Sequence, residues 1–358
     1  MKILVRAPSN IALVKYMGKK TVPVGAQTNL PENPSLSLTL SSLCTFLELR
    51  ISAARAGEES AFRLLPEMPG DSRGEVPKLT PLGGEKFLKH LRRCEALLPS
   101  ILDRNGIPAF SHFNGDLEVR SSNTFPQSAG IASSASSFAA LTLAAGTALV
   151  KEPIDFSKRW KEDSKLRGDF ARVSREGSGS SCRSFHGPFV AWEGANVSEI
   201  PSNLPPLSDL VIIVSSGEKK VGSTEAHSRV KTSPSWPGRV ARASERFEGV
   251  RSAIIHGNWE SVIQLAGVDS RDMHELFSSA EPPFSYFEKG TESVLDFLKR
   301  EHRDARVAVT LDAGPNIHLI VPQSEEQYWK RVISDRFPEF PCLIDREGQG
   351  AEVLKILP

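Results

Sequence analysis

Cysteine is scarce. The 358 residues contain four, Cys44, Cys94, Cys182 and Cys342, widely separated and without a CxxC pair. This spacing argues against a zinc ribbon or a disulfide framework and suits reduced thiols in a cytoplasmic chain. A surplus of charge is also missing: Lys and Arg total 44, Asp and Glu 43. That balance argues against a nucleic-acid-binding protein and against a charged tail. The opening Met1 to Pro8 has an early Arg6 and no apolar core of signal-peptide length.

Long apolar runs are nearly absent. The window between Arg120 and Lys151 carries no charge and is long enough to cross a bilayer. However, Ser133, Ser134, Ser136, Ser137, Thr142 and Thr147 dilute its bulky apolar residues, so it reads as a buried helix within a domain. What remains is an ordinary globular composition, 39% hydrophobic and 24% charged. At roughly 150 residues per domain, the length suits about two domains.

Alternation predicts strands over Lys2 to Ala7, Thr45 to Ile51 and Asp116 to Arg120, and Lys86 to Leu98 has helical spacing. Residues 52–79, rich in Gly, Pro, Glu and Arg, read as a long surface connection. The proline turn Pro201 to Pro206 separates the strand Val190 to Trp192 from the strand Leu210 to Val214 and marks the best domain boundary. Beyond it, Arg239 to Ile255, Thr291 to Arg300 and Glu326 to Phe337 look helical. Arg306 to Leu311 and Ile317 to Val321 look like strands. Helix and sheet mixed in both halves indicate an α+β architecture.

Four runs can carry chemistry. Pro126 to Ser136 leads glycine and small residues into the uncharged helix, where backbone N–H groups and the helix dipole can hold a phosphate. It lacks the Gly-Lys-Ser/Thr ending of a Walker loop, and alone it also admits a tightly packed helix start with no ligand. Gly177 to Ser184, with Arg175 before it and Arg183 within it, offers donors and a guanidinium for a carboxylate or phosphate; a solvated loop reads equally well. Asn10 to Lys20 places three lysines and Tyr16 after the first strand, which suits an anionic substrate or a solvated basic turn. Finally, Asp312 ends an apolar strand at a Gly-Pro turn, either as an aimed functional carboxylate or as a simple turn cap. The remaining histidines, His90, His112, His256, His274, His302 and His318, share no metal-ligand spacing.

Together, these runs resemble the diphosphomevalonate decarboxylases, a branch of the GHMP small-molecule kinase superfamily. Gly222 to Thr224, Pro282 to Tyr286 and Asp312 to Asn316 extend the likeness over most of the chain. The resemblance implies a two-domain GHMP kinase-like α+β fold with the active site in the cleft between the halves. Residues 1–200 would be ribosomal protein S5 domain 2-like and residues 201–358 ferredoxin-like. It also implies a cytoplasmic homodimer that uses ATP and Mg²⁺ on a phosphorylated mevalonate, with no metal held by the protein itself.

By the same likeness, Asp312 would orient or deprotonate the 3-hydroxyl and stabilise positive charge at carbon 3. Arg183 would bind the carboxylate, and Lys15 and Asn10 would lie near the reacting centre. Tyr16, Met17, Gly18, Lys19, Ser178, Gly179, Ser180, Ser181, Cys182 and Thr224 would surround the diphosphate. Ala129, Gly130, Ile131, Ala132, Ser133, Ser134 and Ser136 would cradle the nucleotide, with Ser122 by its base.

Four positions depart from the family pattern: Met17 replaces tryptophan, Ser181 replaces alanine, His186-Gly187-Pro188 interrupts an aromatic-Gly-Gly, and His227 stands where methionine is typical. Met17 and His227 leave a monophosphorylated substrate open. A 3-kinase without decarboxylation is the nearest alternative, disfavoured by Asp312, Lys15 and Arg183 together. A non-catalytic sensor on the same fold is disfavoured by the intact phosphate-loop and acidic residues.

Overall fold

The computed structural model describes all residues except 22–28, 53–60, 127–130, 132, 216, 218–220 and 303–305. The first half runs β1 (Lys2–Val14), β2 (Ser35–Ser52), β3 (Phe62–Leu64), α1 (Pro81–Arg104), β4 (Asp116–Asn123), α2 (Ser133–Leu149), α3 (Pro153–Glu162), α4 (Ser164–Gly177), β5 (Phe189–Glu193) and β6 (Asn196–Ile200). The second runs β7 (Leu207–Ile212), α5 (Ser223–Arg229), α6 (Arg239–His256), α7 (Trp259–Ser278), α8 (Lys289–Glu301), β8 (Ala308–Thr310), β9 (Ile317–Pro322), α9 (Glu326–Arg336), β10 (Cys342–Arg346) and β11 (Glu352–Leu357).

Among the described residues there are two sheets. The larger has the order β11-β1-β2-β4-β3, with β5 on another stretch of β2 and β6 on β5. The smaller is antiparallel in the order β10-β7-β9-β8, the fourth-first-third-second arrangement of a ferredoxin-like βαββαβ unit. One element departs from the expected division at residue 200: β11 returns to pair with β1.

β1 runs past Ala7 because the register shifts rather than stops. Pro8 faces Cys44 and Asn10 faces Thr39, so residues 40–43 of β2 stand against Ser9 alone. Such an irregularity accommodates a proline and bends the pair. It carries β1 from the first core, against α1 and α2, into a second core shared with α6 and α7. The end of β1 therefore reaches the junction between the halves.

Helix α2 is buried over nearly its whole length, which is why it needs no polar face. Helix α7 lies beyond the pattern read from sequence. Its buried face, Trp259, Val262, Ala266, Asp269, Asp272, Met273 and Leu276, includes two carboxylates that break the apolar period. Residues 52–79 also hold more than a connection: β3 pairs parallel with β4, and the Gly70 amide donates to the buried Glu48.

Candidate active site

A cavity of about 860 Å³ opens where the end of β1, the start of α2, the Gly177–Arg183 turn, the start of α5 and the turn after β8 meet. Asp312 emerges from that last turn. Ser270 accepts the Leu311 amide at 3.0 Å, and Asn316 fixes the far side of the turn through the Val214 and Ser215 amides at 2.7 and 3.0 Å. The Asp312 side chain is about 21% exposed, towards the cavity, and Lys15 Nζ lies 2.6 Å from its Oδ1. Burial pushes the carboxyl up, but Lys15, His318 and Arg183 outweigh it and hold the group below the usual carboxylate range. Asp312 is therefore an ionised counter-charge and only a weak base.

Arg183 lines the same cavity and is buried, with about 3% of its surface exposed. Its Nε donates to Asn10 Oδ1 at 3.1 Å and its Nη1 to Ser35 Oγ at 2.8 Å; both acceptors are neutral. No carboxylate lies within ion-pair distance among the described residues, and burial lowers its pKa. A buried cation without its own anion is primed for an incoming one. Asn10 does not reach the cavity; it aims Arg183 and donates to Ser184 Oγ at 2.9 Å.

The basic turn after β1 forms another wall. Burial and neighbouring Lys86 lower the Lys19 pKa, as expected where cations are gathered for a polyanion. Gly18 takes φ +79°, a backbone state costly for other residues, and thereby turns the chain between Met17 and Lys19. Tyr16 packs on Trp192 and His227 at centroid distances of 4.6 and 4.4 Å. A Cβ at Gly179 would stand 2.7 Å from the Tyr16 ring, so only glycine lets the two walls close up. Ser178 Oγ reaches Ser134 Oγ at 3.3 Å, joining this wall to the start of α2.

Of the expected residues, Asp312, Lys15, Arg183, Tyr16, Met17, Lys19, Ser178, Gly179, Ser180, Thr224, Ile131, Ser133 and Ser134 line the one cavity. Ala129, Gly130 and Ala132 lie outside the described residues. Others do not line it. Ser122 donates to the Arg73 carbonyl at 3.0 Å and secures the segment after β3. Ser136 is buried against Thr45 at 2.7 Å, and Ser181 against Ser174 at 2.6 Å. Cys182 is buried, and desolvation pushes its thiol up to about 12, which removes any nucleophilic role. Gly18 contributes through its backbone alone.

Sequence reading missed the groups that hold Lys15. Its amide donates to Asp269 Oδ2 at 2.6 Å, and its carbonyl accepts from Arg239 Nη2 at 3.1 Å and Asn33 Nδ2 at 3.0 Å. Arg239 in turn binds Asp269 and Asp272 at 2.7 and 2.9 Å, and Arg242 and Arg246 complete the network. The signal was present as Arg239, Arg242 and Arg246 on one helical face and Asp269 and Asp272 on another. Among the described residues no group of three His, Cys, Asp or Glu could hold a metal, and no helix is long and apolar enough to cross a membrane.

The sequence matches the diphosphomevalonate decarboxylase-like N-terminal domain over residues 7–200 and the mevalonate 5-diphosphate decarboxylase C-terminal domain over residues 209–353. The chain belongs to the diphosphomevalonate decarboxylase family. Within it, the chain is 30% identical to the diphosphomevalonate decarboxylase of Candida albicans over 94% of its own length and 89% of that relative's. It is similar to the mevalonate diphosphate decarboxylase structure from Legionella pneumophila, with 33% identity, a TM-score of 0.75, and coverage of 96% of this chain and 100% of that one. It also resembles MDDEF in complex with MVAPP, AMPPCP and magnesium, with 27% identity, a TM-score of 0.77 and 99% of both chains covered.

Proposed function

We propose that this chain catalyses the ATP-dependent decarboxylation of (R)-5-diphosphomevalonate to isopentenyl diphosphate, carbon dioxide, ADP and phosphate. The observation that carries the reading is the Lys15–Asp312 pair beside the uncompensated Arg183 in one cavity. Lys15, Lys19, Lys86 and Arg183 face only Asp312 and Glu225 among the described lining residues, a balance that fits two polyphosphate groups and a carboxylate. Ser133 and Ser134, at the start of α2, fit the nucleotide phosphates. Bound Mg²⁺ would supply charge neutralisation on the triphosphate.

Asp312 accepts a hydrogen bond from the substrate's 3-hydroxyl and aims its oxygen at the γ-phosphoryl group. As the new O–P bond forms and ADP leaves, the hydroxyl proton passes to a phosphoryl oxygen, so Asp312 stays ionised, and Lys15 holds the carboxylate in place. The C3–O bond then breaks with both electrons leaving on phosphate. The C1–C2 electrons form the C2=C3 double bond as carbon dioxide departs. Ionised Asp312 offsets the positive character at carbon 3, where a fixed charge acts most strongly. Arg183 holds the carboxylate so that the breaking C1–C2 bond stays aligned. Residues 1–200 with β11 supply Lys15 and Arg183, and the rest of the chain supplies Asp312. The free thiols support a cytoplasmic location, and the family likeness supports a homodimer.

Asp312→Asn tests the role. Single-turnover carbon dioxide release is expected to slow by about two orders of magnitude or more, with nucleotide affinity within a few-fold of wild type, as for a group acting in the transition state. Near-normal turnover would reject it.

A further inference from the structure

Position 227 supplies a group that the mechanism above does not use. His227, on α5, lines the cavity with its ring against Tyr16. The Gly18 amide donates to its Nδ1 at 3.1 Å, so that nitrogen must keep its lone pair. An imidazolium would set two N–H groups face to face. The neutral ring therefore carries its proton on Nε2. Burial, with Lys19 and Lys231 nearby, pushes its pKa down to about 3, which keeps the ring uncharged throughout the neutral range. No protein acceptor binds Nε2 among the described residues, and it is not sealed in the interior.

The place of this donor matters. The chain runs from Lys15, beside Asp312, to Gly18, beside His227, a distance of up to about 10 Å for three extended residues. A substrate whose carbon 3 lies at Asp312 has its distal end near Lys19 and His227. We propose that His227 is a specificity-determining residue whose Nε2–H donates to the outer phosphoryl group of the diphosphate, selecting a diphosphorylated over a monophosphorylated substrate. This rests on the decarboxylase reading for the substrate's orientation. The backbone amide fixes the tautomer and the Tyr16 ring fixes the plane, so the donor is set before substrate arrives.

The test uses His227→Phe, His227→Asn and His227→Gln at saturating Mg-ATP, with carbon dioxide release measured from both substrates. Asparagine can replace the Nδ1 acceptor for Gly18 but not the Nε2 donor; glutamine can replace the distal donor. Phe and Asn are expected to raise KM for the diphosphorylated substrate about tenfold, equivalent to about 1.4 kcal/mol, with kcat within about twofold and the monophosphorylated KM unchanged. Gln is expected to return KM to within about threefold of wild type.

Rescue by Asn but not Gln would reduce His227 to a support for Gly18 and overturn the proposal. So would an equal rise in both KM values. If wild-type protein released no carbon dioxide from either substrate, the decarboxylase reading would fail. Calorimetric titration of inorganic pyrophosphate against inorganic phosphate would still decide the donor's role: a preference for pyrophosphate that His227→Phe abolishes supports it, and an unchanged preference contradicts it.

Discussion

Arg183 and Arg239 are both buried, yet the side-chain hydrogen-bond partners of one are neutral and those of the other are carboxylates. Their pKa values move in opposite directions although burial penalises the charge of each. Burial lowers both, but Asp269 and Asp272 more than compensate at Arg239, while nothing comparable does so at Arg183. A structural cation is paired within the fold, and the candidate ligand-binding cation is left for a partner the fold does not contain. Both converge on Lys15 and Asp312, one by fixing the Lys15 backbone and the other by sharing the cavity.

Substitutions can break this comparison. The largest effect is expected from Arg239→Gln, which removes the buried cation at the centre of the network and leaves Asp269 with Arg246 and the Lys15 amide alone: urea unfolding should show a loss of about 3–5 kcal/mol, as for a broken buried pair. Arg183→Gln should act on function instead. It is expected to lower kcat/KM by roughly 30-fold or more, the scale of losing a partner to a buried charge, while leaving unfolding free energy within about 1 kcal/mol of wild type. Stability loss at Arg183 without an effect on substrate would erase the distinction.

Acid pH sharpens the same contrast. Burial raises the Asp272 pKa, but hydrogen bonds and charge from Arg242, Arg246 and Arg239 bring it well below the ordinary value. The unfolded chain therefore takes up this proton first. Its contribution to stability is complete above about pH 4 and is lost as pH falls through the lower folded pKa. Asp272→Asn should flatten that limb of a pH-dependent unfolding curve. The smallest effect is expected from Cys182→Ala, with kcat within a few-fold of wild type, because the buried thiol does not ionise near neutral pH.

Much of this was legible in the sequence for physical reasons. The uncharged Ser133–Leu149 segment had to be buried, and the small residues around Gly179 permit the close approach of Tyr16. Asp312 and Arg183 could be named from their motifs. That Arg183 lacks an anion emerges only when Asn10 and Ser35 are placed beside it. Helix α7 stayed hidden because its core-facing carboxylates imitate a solvated face until Arg239, 30 residues away, is brought against Asp269. Ser122 shows a contact that sequence does not reveal: a hydroxyl near a phosphate-binding motif donates to the Arg73 carbonyl. The side-chain period in a strand says which face a residue takes, but not what packs there.

The most direct test of the whole account supplies wild-type protein with Mg-ATP and (R)-5-diphosphomevalonate and measures ADP, inorganic phosphate and carbon dioxide separately in one reaction. The account requires all three in equal amounts; ADP accumulating without phosphate and carbon dioxide would make the chain a kinase and contradict it.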